Sequence, residues 1–230
     1  MSTDPEPTKT PAELKTLVEN GYDAIAPKYL AWSGPRATAT RQAYIERLAT
    51  LLPTGARVLE LGCGAGVPAT QQLIAHGLAV TGVDISAAQI ALAREHVPAA
   101  TLIQADMSDV EKMDGLFAEG DFDAVVAFYS LFHLPRAEQG AMVARMARWV
   151  KPGGWLLFNL NTGDGDMMRP DWMGVPMFSS SFSVEGNRQM MKEHGQDLVI
   201  VEDDVTIETV GRMEEKFHWF LASKGEAVAA

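Results

Sequence analysis

Short apolar runs alternate with helical patterns through the middle of this chain, and that alternation constrains its fold most. A parallel strand can follow another only through a crossover connection, so the pattern predicts an open, mostly parallel sheet with helices on both faces. The predicted strands are residues 57–61, 79–84, 100–106, 122–130 and 154–160, and the predicted helices between them are residues 68–76, 86–96, 108–117 and 137–150.

The flanking segments add helices and a hairpin to this α/β core. Residues 12–30, 40–52 and 184–194 have helical spacing, whereas 197–210 and 215–223 read as two strands with no room for a helix between them. Those two strands predict an antiparallel hairpin at a sheet edge. Residues 161–183 show neither period and predict a long functional loop.

The expected organisation is therefore a disordered tail (residues 1–11), a single domain (12–225) and a short tail (226–230). Within the domain, residues 12–56 form an N-terminal helical cap and residues 161–183 a substrate loop. The cap follows from helical periodicity, and the loop from the absence of either period over its length.

Charge and composition narrow the partners and the location. The net charge of −11, with no dense run of Lys or Arg, disfavours nucleic acid as a partner. Cys63 is the one cysteine of the 230 residues, so no intrachain disulfide can form. No apolar run is long enough for a bilayer and no secretory signal is evident, which predicts a cytoplasmic protein without a membrane partner.

A glycine-rich loop follows the first predicted strand in "LELGCGAG". Gly62, Gly64 and Gly66 would let a ligand approach backbone N–H groups at the start of a helix. Val67 stands where a dinucleotide fingerprint needs its last glycine, and no Lys followed by Ser or Thr closes a phosphate loop. Phosphate, a carboxylate and a nucleoside-bearing ligand all remain open.

Three acids fall at the ends of three successive predicted strands. Glu60, Asp84 and Asp106 should meet at one edge of a parallel sheet. Asp84 could accept two ribose hydroxyls, and Asp106 the exocyclic amine of an adenine with Met107 against the ring. The alternative for each is a helix cap or a turn residue.

Five motifs in this order resemble the class I S-adenosylmethionine-dependent methyltransferases. They are "VLELGCGAG", "GVDIS", "QADM", "FDAVVAFYSLFHL" and "WVKPGGWLLF", spread over residues 57–160. The resemblance implies S-adenosylmethionine as cofactor and a doubly wound, Rossmann-like sheet of seven strands, mostly parallel with an antiparallel last strand.

The resemblance also implies roles for residues of this chain. Glu60 and the loop residues Gly62, Cys63, Gly64 and Gly66 would hold the methionine part of the cofactor. Asp84 would bind the ribose and Asp106 the adenine, with Ile85 and Met107 on either side of the adenine ring. Phe128 would lie near the cofactor's amino group through its backbone, and Tyr22 and Tyr29 would lie at the carboxylate or at the pocket entrance.

The methyl acceptor leaves a weaker signal. His133, just after the fourth strand, is the candidate base, with a packing role as the alternative. Tyr129 could orient an acceptor. Trp172, Met177 and Phe178 predict an apolar wall for a small hydrophobic or aromatic acceptor, unless they merely cover the sheet edge. The acids of residues 161–183 lack a strand-end partner pair, so no metal is expected.

The sequence leaves two functions open. The first is methyl transfer from S-adenosylmethionine to O, N or S of a small molecule. The second is a cofactor-binding but non-catalytic regulatory or interaction protein. An oxidoreductase is disfavoured by Val67, and "FYSLFHLP" differs from the loops of base-modifying family members.

Overall fold

A computed structural model of the chain describes residues 9–35, 38–211 and 213–225. Its strands are β1 (Arg57–Leu61), β2 (Ala79–Asp84), β3 (Thr101–Gln104), β4 (Phe122–Ala127), β5 (Val150–Asn161), β6 (Gly165–Trp172), β7 (Val175–Ser181), β8 (Leu198–Val210) and β9 (Met213–Lys224). Its α-helices are α1 (Pro11–Ser33), α2 (Ala39–Leu51), α3 (Ala69–Ala75), α4 (Ala87–His96), α5 (Val110–Leu116), α6 (Arg136–Trp149) and α7 (Val184–His194).

Seven of the strands form one sheet in the order β3-β2-β1-β4-β5-β9-β8. The first five run parallel, and β9 lies antiparallel to both β5 and β8. The predicted mostly parallel sheet with an antiparallel last strand and an edge hairpin is confirmed. Strand order reverses between β1 and β4, so the carboxyl ends of these strands border a crevice.

Helices cover both faces of this sheet, as the alternation predicts. On one face α6 and α7 contribute Met146, Trp149 and Met191 to a core with Phe158 and Phe220. On the other face α2 and α3 pack against strand residues of β1, β4 and β9. Among the described helices, none is both long and apolar enough to cross a membrane.

Helix ends follow local chemistry. Ser86 caps α4 by accepting a hydrogen bond from the backbone N–H of Gln89 (3.1 Å). α1 begins at Pro11 behind a capping box formed by Thr10 and Glu13, one residue before the predicted start of the first helix. Residues 1–8 and 226–230 of the predicted tails lie outside the described part of the chain.

Residues 161–183 are the main departure from the predicted elements. Instead of a long irregular loop they hold a two-stranded hairpin of β6 and β7, which turns at Met173 and Gly174, both at positive φ. Most of β6 is exposed, and β7 packs mainly on α1, with fewer contacts to β5 of the main sheet. Because β6 is largely exposed and β7 buries residues in adjacent pairs, neither strand has the alternation that marks a half-buried strand.

Candidate active site

A cavity of about 80 Å³ opens at the carboxyl ends of β1, β2 and β4, beside the glycine loop. We call it the glycine-loop cavity. Its wall combines α1, the glycine loop, the ends of three strands and the first turn of α4. The lining residues are Val18, Tyr22, Tyr29, Gly62, Gly64, Asp84, Ile85, Gln89, Met107, Phe128, Tyr129, Ser130 and His133.

Asp84 is held rigidly in this wall. One carboxylate oxygen accepts the backbone N–H of Gly64 at 2.8 Å, and the other accepts that of Ser86 at 2.9 Å. Withdrawal from water raises the pKa of Asp84 to about 6, while these two N–H groups act in the opposite direction. Each oxygen keeps further lone pairs for a ligand.

The three loop glycines serve different purposes. A Cβ at Gly62 would lie 2.3 Å from Cβ of Ser130, and one at Gly66 would lie 2.4 Å from a Val97 methyl, so both are required by packing. At Gly64 the nearest atom is Oε1 of Gln89 at 3.8 Å. Gly64 alone of the three therefore leaves free space for a ligand to approach the backbone.

Glu60, Cys63, Gly66 and Asp106 are predicted cofactor contacts that lie outside the lining of this cavity. Glu60 is buried and accepts the Thr70 hydroxyl at 2.6 Å; burial raises its pKa to about 7. The Cys63 thiol is buried, which raises its pKa well above the ordinary value. Both side chains therefore pack beneath the glycine loop, on the side away from the cavity.

Asp106 faces a neighbouring groove that it shares with α1. One carboxylate oxygen accepts both the backbone N–H and the hydroxyl of Ser108 at 2.8 Å, and the other lies 3.5 Å from Nζ of Lys15. Ile85 lines this groove as well as the glycine-loop cavity, so the two are adjacent.

A second, larger cavity of about 320 Å³ lies between α1, the β6–β7 hairpin and the β8–β9 hairpin. We call it the aromatic cavity. Its lining residues are Tyr22, Tyr29, Trp32, Ser33, Thr38, Arg41, Tyr129, Phe132, His133, Asn161, Arg169, Trp172, Met177, Ser179, Glu208, Thr209, Val210, Glu215 and Phe217. Aromatic rings thus predominate, with two arginines and two glutamates among them.

Most of the predicted acceptor wall is found here. Tyr129, Trp172 and Met177 line the aromatic cavity, whereas Phe178 packs in a cluster with Val18 of α1 and is absent from its lining. The prediction for Phe178 is wrong because neighbouring residues of a strand point to opposite sides, and Met177 and Ser179 take the cavity side of β7.

Four residues line both cavities: Tyr22, Tyr29, Tyr129 and His133. Nδ1 of His133 lies 2.7 Å from the backbone oxygen of Phe178. A carbonyl oxygen can only accept, so Nδ1 carries the proton, and Nε2 accepts the hydroxyl of Tyr22 at 2.9 Å. Burial lowers the pKa of His133 to about 4, which keeps the imidazole neutral at pH 7.

Tyr129 adopts a left-handed backbone, with φ of 53°. Its N–H donates to the side-chain oxygen of Asn159 at 2.8 Å, and its hydroxyl donates to Glu208 at 2.7 Å. These two bonds hold an unfavourable backbone conformation and fix the ring between the cavities.

Comparison with known proteins finds relatives of this chain both in sequence and in fold. Residues 58–154 match the family model of a methyltransferase domain. The 27-O-demethylrifamycin SV methyltransferase of Amycolatopsis mediterranei is 30% identical over 164 residues, or 68% of this chain and 53% of that protein. The ubiquinone biosynthesis O-methyltransferase of Thiobacillus denitrificans is 36% identical over 106 residues, or 46% and 44% of the two chains.

The chain contains a class I S-adenosylmethionine-dependent methyltransferase domain. It spans about half the length of the curated relatives it matches. Its whole length shares the fold of a Burkholderia thailandensis 1,6-didemethyltoxoflavin-N1-methyltransferase, with a TM-score of 0.71 at 17% identity and coverage of 97% and 94%. The magnesium protoporphyrin IX methyltransferase of Synechocystis PCC 6803 gives 0.66 at 16%, with coverage of 96% and 100%.

The residues around the glycine-loop cavity suit parts of this family's cofactor, and the cavity of about 80 Å³ has room for only part of so large a molecule. Gly64 offers open backbone, Asp84 offers acceptor oxygens, and Ile85 and Met107 stand in the same wall. Among the described residues, no three His, Cys, Asp or Glu side chains cluster in a way that could hold a metal ion. The acids of the hairpin are engaged otherwise, Asp164 by Arg136 at 3.3 Å and Asp171 by the N–H of Gly174 at 2.7 Å.

Sequence reasoning missed the charged residues of the aromatic cavity. Glu208 and Glu215 pair directly across β8 and β9, on the face that also carries Phe217. Arg169, from the β6–β7 hairpin, forms an ion pair with Glu215. The signal in the sequence was a glutamate on an otherwise apolar strand face. Its place in a cavity could not be predicted without the register of β8 and β9.

Proposed function

We propose that the protein transfers the methyl group of S-adenosylmethionine to an oxygen, nitrogen or sulfur atom of a small hydrophobic or aromatic molecule. The observation that carries this proposal is the common wall of the two cavities. Tyr22, Tyr29, Tyr129 and His133 border both, so a donor in one cavity and an acceptor in the other would meet at these four side chains.

In this proposal the donor occupies the glycine-loop cavity and extends into the adjacent groove that Asp106 lines. Asp84 accepts the ribose hydroxyls, the backbone at Gly64 meets the methionine part, and Ile85 and Met107 enclose the adenine. Glu60 supports the loop through Thr70 rather than by contact. Asp106 accepts a hydrogen bond from the adenine amine after the Lys15 side chain has moved away from the Asp106 carboxylate.

The acceptor occupies the aromatic cavity. A volume of about 320 Å³ suits a drug-sized molecule, and the rings of Trp32, Trp172 and Phe217 provide flat apolar contacts. Two arginines and two glutamates balance one another in its wall. This balance favours an acceptor without net charge that carries polar substituents.

The chemistry requires alignment and removal of a proton. When bound, S-adenosylmethionine would supply an electrophilic methyl group, which would leave its sulfur as the acceptor's lone pair forms the new bond. The four shared side chains align the acceptor and exclude water. An acceptor proton passes to the hydroxyl oxygen of Tyr22 as the Tyr22 proton moves to Nε2 of His133, which becomes an imidazolium.

The names of the relatives agree with small-molecule chemistry. Both curated relatives above carry the names of small-molecule methyltransferases, and one of them is named an O-methyltransferase. An oxygen acceptor is accordingly the first to test.

The experiment follows methyl groups from S-adenosyl-[methyl-³H]methionine into a fractionated metabolite extract. We expect tritium in a small aromatic product together with S-adenosylhomocysteine. His133→Ala should slow turnover about 100-fold and keep donor affinity, within the range for loss of a general base. Asp84→Ala is the control that loses donor binding.

Tight donor binding without methyl incorporation from any extract fraction would contradict the proposal. That result would favour the second function, a cofactor-binding protein with a regulatory or interaction role.

A further inference from the structure

Glu208 is a buried carboxylate in the wall of the aromatic cavity, with only 7% of the residue exposed. Its Oε2 accepts the hydroxyl of Tyr129 at 2.7 Å, and its Oε1 accepts the hydroxyl of Thr206 at 3.3 Å. None of the ion pairs among the described residues includes Glu208. Burying a carboxylate without a cation costs free energy that hydrogen bonds to neutral groups offset only in part. A further hydrogen-bond donor from a ligand in the cavity would therefore be bound favourably.

Both neighbours of Glu208 are fixed in place. The Thr206 hydroxyl oxygen accepts the indole N–H of Trp219 at 3.2 Å, so its own proton is directed at Glu208. The Tyr129 ring packs edge-on against Phe217, with the ring centroids 5.0 Å apart. A carboxylate offers about four acceptor positions, of which these hydroxyls occupy two, and the others remain for a ligand.

The other charged side chains of the cavity indicate which ligand group suits Glu208. Glu215, the second glutamate, forms an ion pair with Arg169. The guanidinium carbon of Arg41 lies 5.5 Å from the centroid of the Tyr129 ring, whose hydroxyl bonds to Glu208. An ammonium group at Glu208 would therefore lie near a positive charge, whereas a hydroxyl group donates a hydrogen bond without that repulsion.

Glu208 stands apart from the side chains at which methyl transfer is proposed. Tyr22 and His133 border both cavities, whereas Glu208 lines the aromatic cavity alone. An acceptor that lies across the aromatic cavity would therefore present one hydroxyl group to Tyr22 and a second hydroxyl group to Glu208.

We propose that the methyl acceptor is an aromatic molecule with two hydroxyl groups, of which Glu208 binds the one that is not methylated. This inference rests on the proposed function and narrows it to a class of substrate. The hydroxyl at Tyr22 loses its proton through Tyr22 to His133 and gains the methyl group, while the hydroxyl at Glu208 keeps its proton. Glu208 thereby determines which of the two hydroxyl groups reacts.

The first test measures the binding of product-like probes to the wild-type protein by calorimetry, with S-adenosylhomocysteine present to fill the donor site. The probes are the isomeric methoxynaphthols, which keep one hydroxyl group, and 2-methoxynaphthalene, which has none. Two fused rings fit a cavity of about 320 Å³. The best-bound methoxynaphthol should bind about tenfold more tightly than 2-methoxynaphthalene, as expected for one hydrogen bond to a charged acceptor. Equal affinities throughout the series would overturn the inference.

Glu208→Gln locates the bound hydroxyl group. Its amide oxygen can still accept the Tyr129 hydroxyl, whereas its amide NH₂ group replaces an acceptor oxygen. The preference for the methoxynaphthol should fall from about tenfold to about twofold or less, because the ligand hydroxyl and the carboxylate form one interacting pair. An unchanged preference in the folded variant would overturn the inference.

Glu215→Gln is the matched control. Glu215 lies in the same cavity wall, but Arg169 already engages its carboxylate. The variant should keep the preference for the methoxynaphthol. An equal loss of preference in Glu208→Gln and Glu215→Gln would show a general effect of charge in the cavity and would overturn the inference.

Tyr129→Phe separates ligand binding by Glu208 from a purely structural role. If Glu208 served only to hold the Tyr129 ring, Tyr129→Phe and Glu208→Gln should change the binding of the probes in the same way. Tyr129→Phe should instead keep the preference for the methoxynaphthol, because the carboxylate of Glu208 is still present. Loss of the preference in both variants would overturn the inference.

The readout of these tests is binding, which does not depend on turnover. Absence of methyl transfer would reject the proposed function and leave the binding comparison unaffected. Absence of the preference would overturn this inference even in a protein that transfers methyl groups, and so would a failure to bind any of the probes.

Discussion

Three glycines in the loop after β1 are required for two different reasons. Gly62 and Gly66 make room for Ser130 and Val97, while Gly64 borders the glycine-loop cavity with nothing closer than 3.8 Å to an added Cβ. Packing and ligand approach therefore both require glycine here, at alternate positions.

Gly64→Ala should weaken S-adenosylhomocysteine binding more than tenfold, because the new methyl group enters the cavity. The backbone at Gly64 has φ of 55°, so stability should also fall by about 1 kcal/mol. Calorimetry and chemical denaturation measure the two effects separately.

Gly55→Ala is the control for backbone strain. Gly55 has φ of 80°, has no atom within 4 Å of an added Cβ, and lines neither cavity. It should lose similar stability and no affinity. Equal affinities in the two variants would show that Gly64 does not border the donor.

Glu60 gives the protein a distinctive dependence of stability on pH. Burial raises its pKa from 4.5 to about 7, although the Thr70 hydroxyl opposes the rise. Between these values the native state binds a proton that the unfolded state has released. The contribution of Glu60 to stability is therefore greatest below pH 4.5 and falls as the pH rises towards 7.

Glu60→Gln should flatten this slope and raise the free energy of unfolding at pH 8 by a gain on the order of 3 kcal/mol. Urea unfolding at pH 5 and pH 8 is the measurement. Glu46→Gln, at an exposed position of α2, is the control and should change neither value. A slope identical to that of the wild type would refute the assignment.

The β6–β7 hairpin is the element that closes the aromatic cavity. Trp172 packs edge-on against Trp32 of α1 at 5.5 Å, and Lys28 of α1 donates to the backbone of Met173 at 2.7 Å. Arg169 pairs with Glu215 on β9. The hairpin is thus fastened to α1 on one side and to the main sheet on the other.

Arg169→Met should loosen the hairpin by about 1 kcal/mol and speed amide hydrogen exchange in residues 165–181 roughly fivefold. The loss exceeds that of an exposed pair because Glu215 remains partly buried without its partner. Arg136→Met, whose partners Asp164 and Asp166 are exposed, should have a smaller effect. Equal exchange rates in both variants would contradict the role of Arg169 as a fastener.

Helix α1 ties the parts of the molecule together. Tyr22 and Tyr29 line both cavities, Asp23 bonds to the start of α4, and Lys15 pairs with Asp106 and with Glu138 of α6. Binding at the glycine-loop cavity therefore engages the sheet, α1 and α4 at once.

S-adenosylhomocysteine at 100 times its dissociation constant should stabilise the whole domain by about 2.7 kcal/mol, which raises the melting temperature by about 5–10 °C. NAD at the same concentration should leave the melting temperature unchanged, because Val67 replaces the last glycine of a dinucleotide fingerprint. Differential scanning fluorimetry compares the two. A shift with NAD alone would point to an oxidoreductase.

Periodicity and capping in the sequence were sufficient for the sheet, its flanking helices and the loop after β1, since these features depend on neighbours a few residues apart. The strand-end rule also brought Asp84 to the cavity beside Gly64. The same rule brought Asp106 close to the end of β3, two residues after Gln104, but gave no indication of its contact with Lys15.

Contacts between distant segments depended on how the elements pack. Tyr22 and His133, 111 residues apart, become partners only because α1 crosses the carboxyl ends of the strands. Glu208 and Glu215 share a cavity through the register of β8 and β9, and residues 165–181 form strands without a periodic signal. Local patterns carry no information on such distances, because helix crossings and strand registers are set by side chains that meet only in the folded chain.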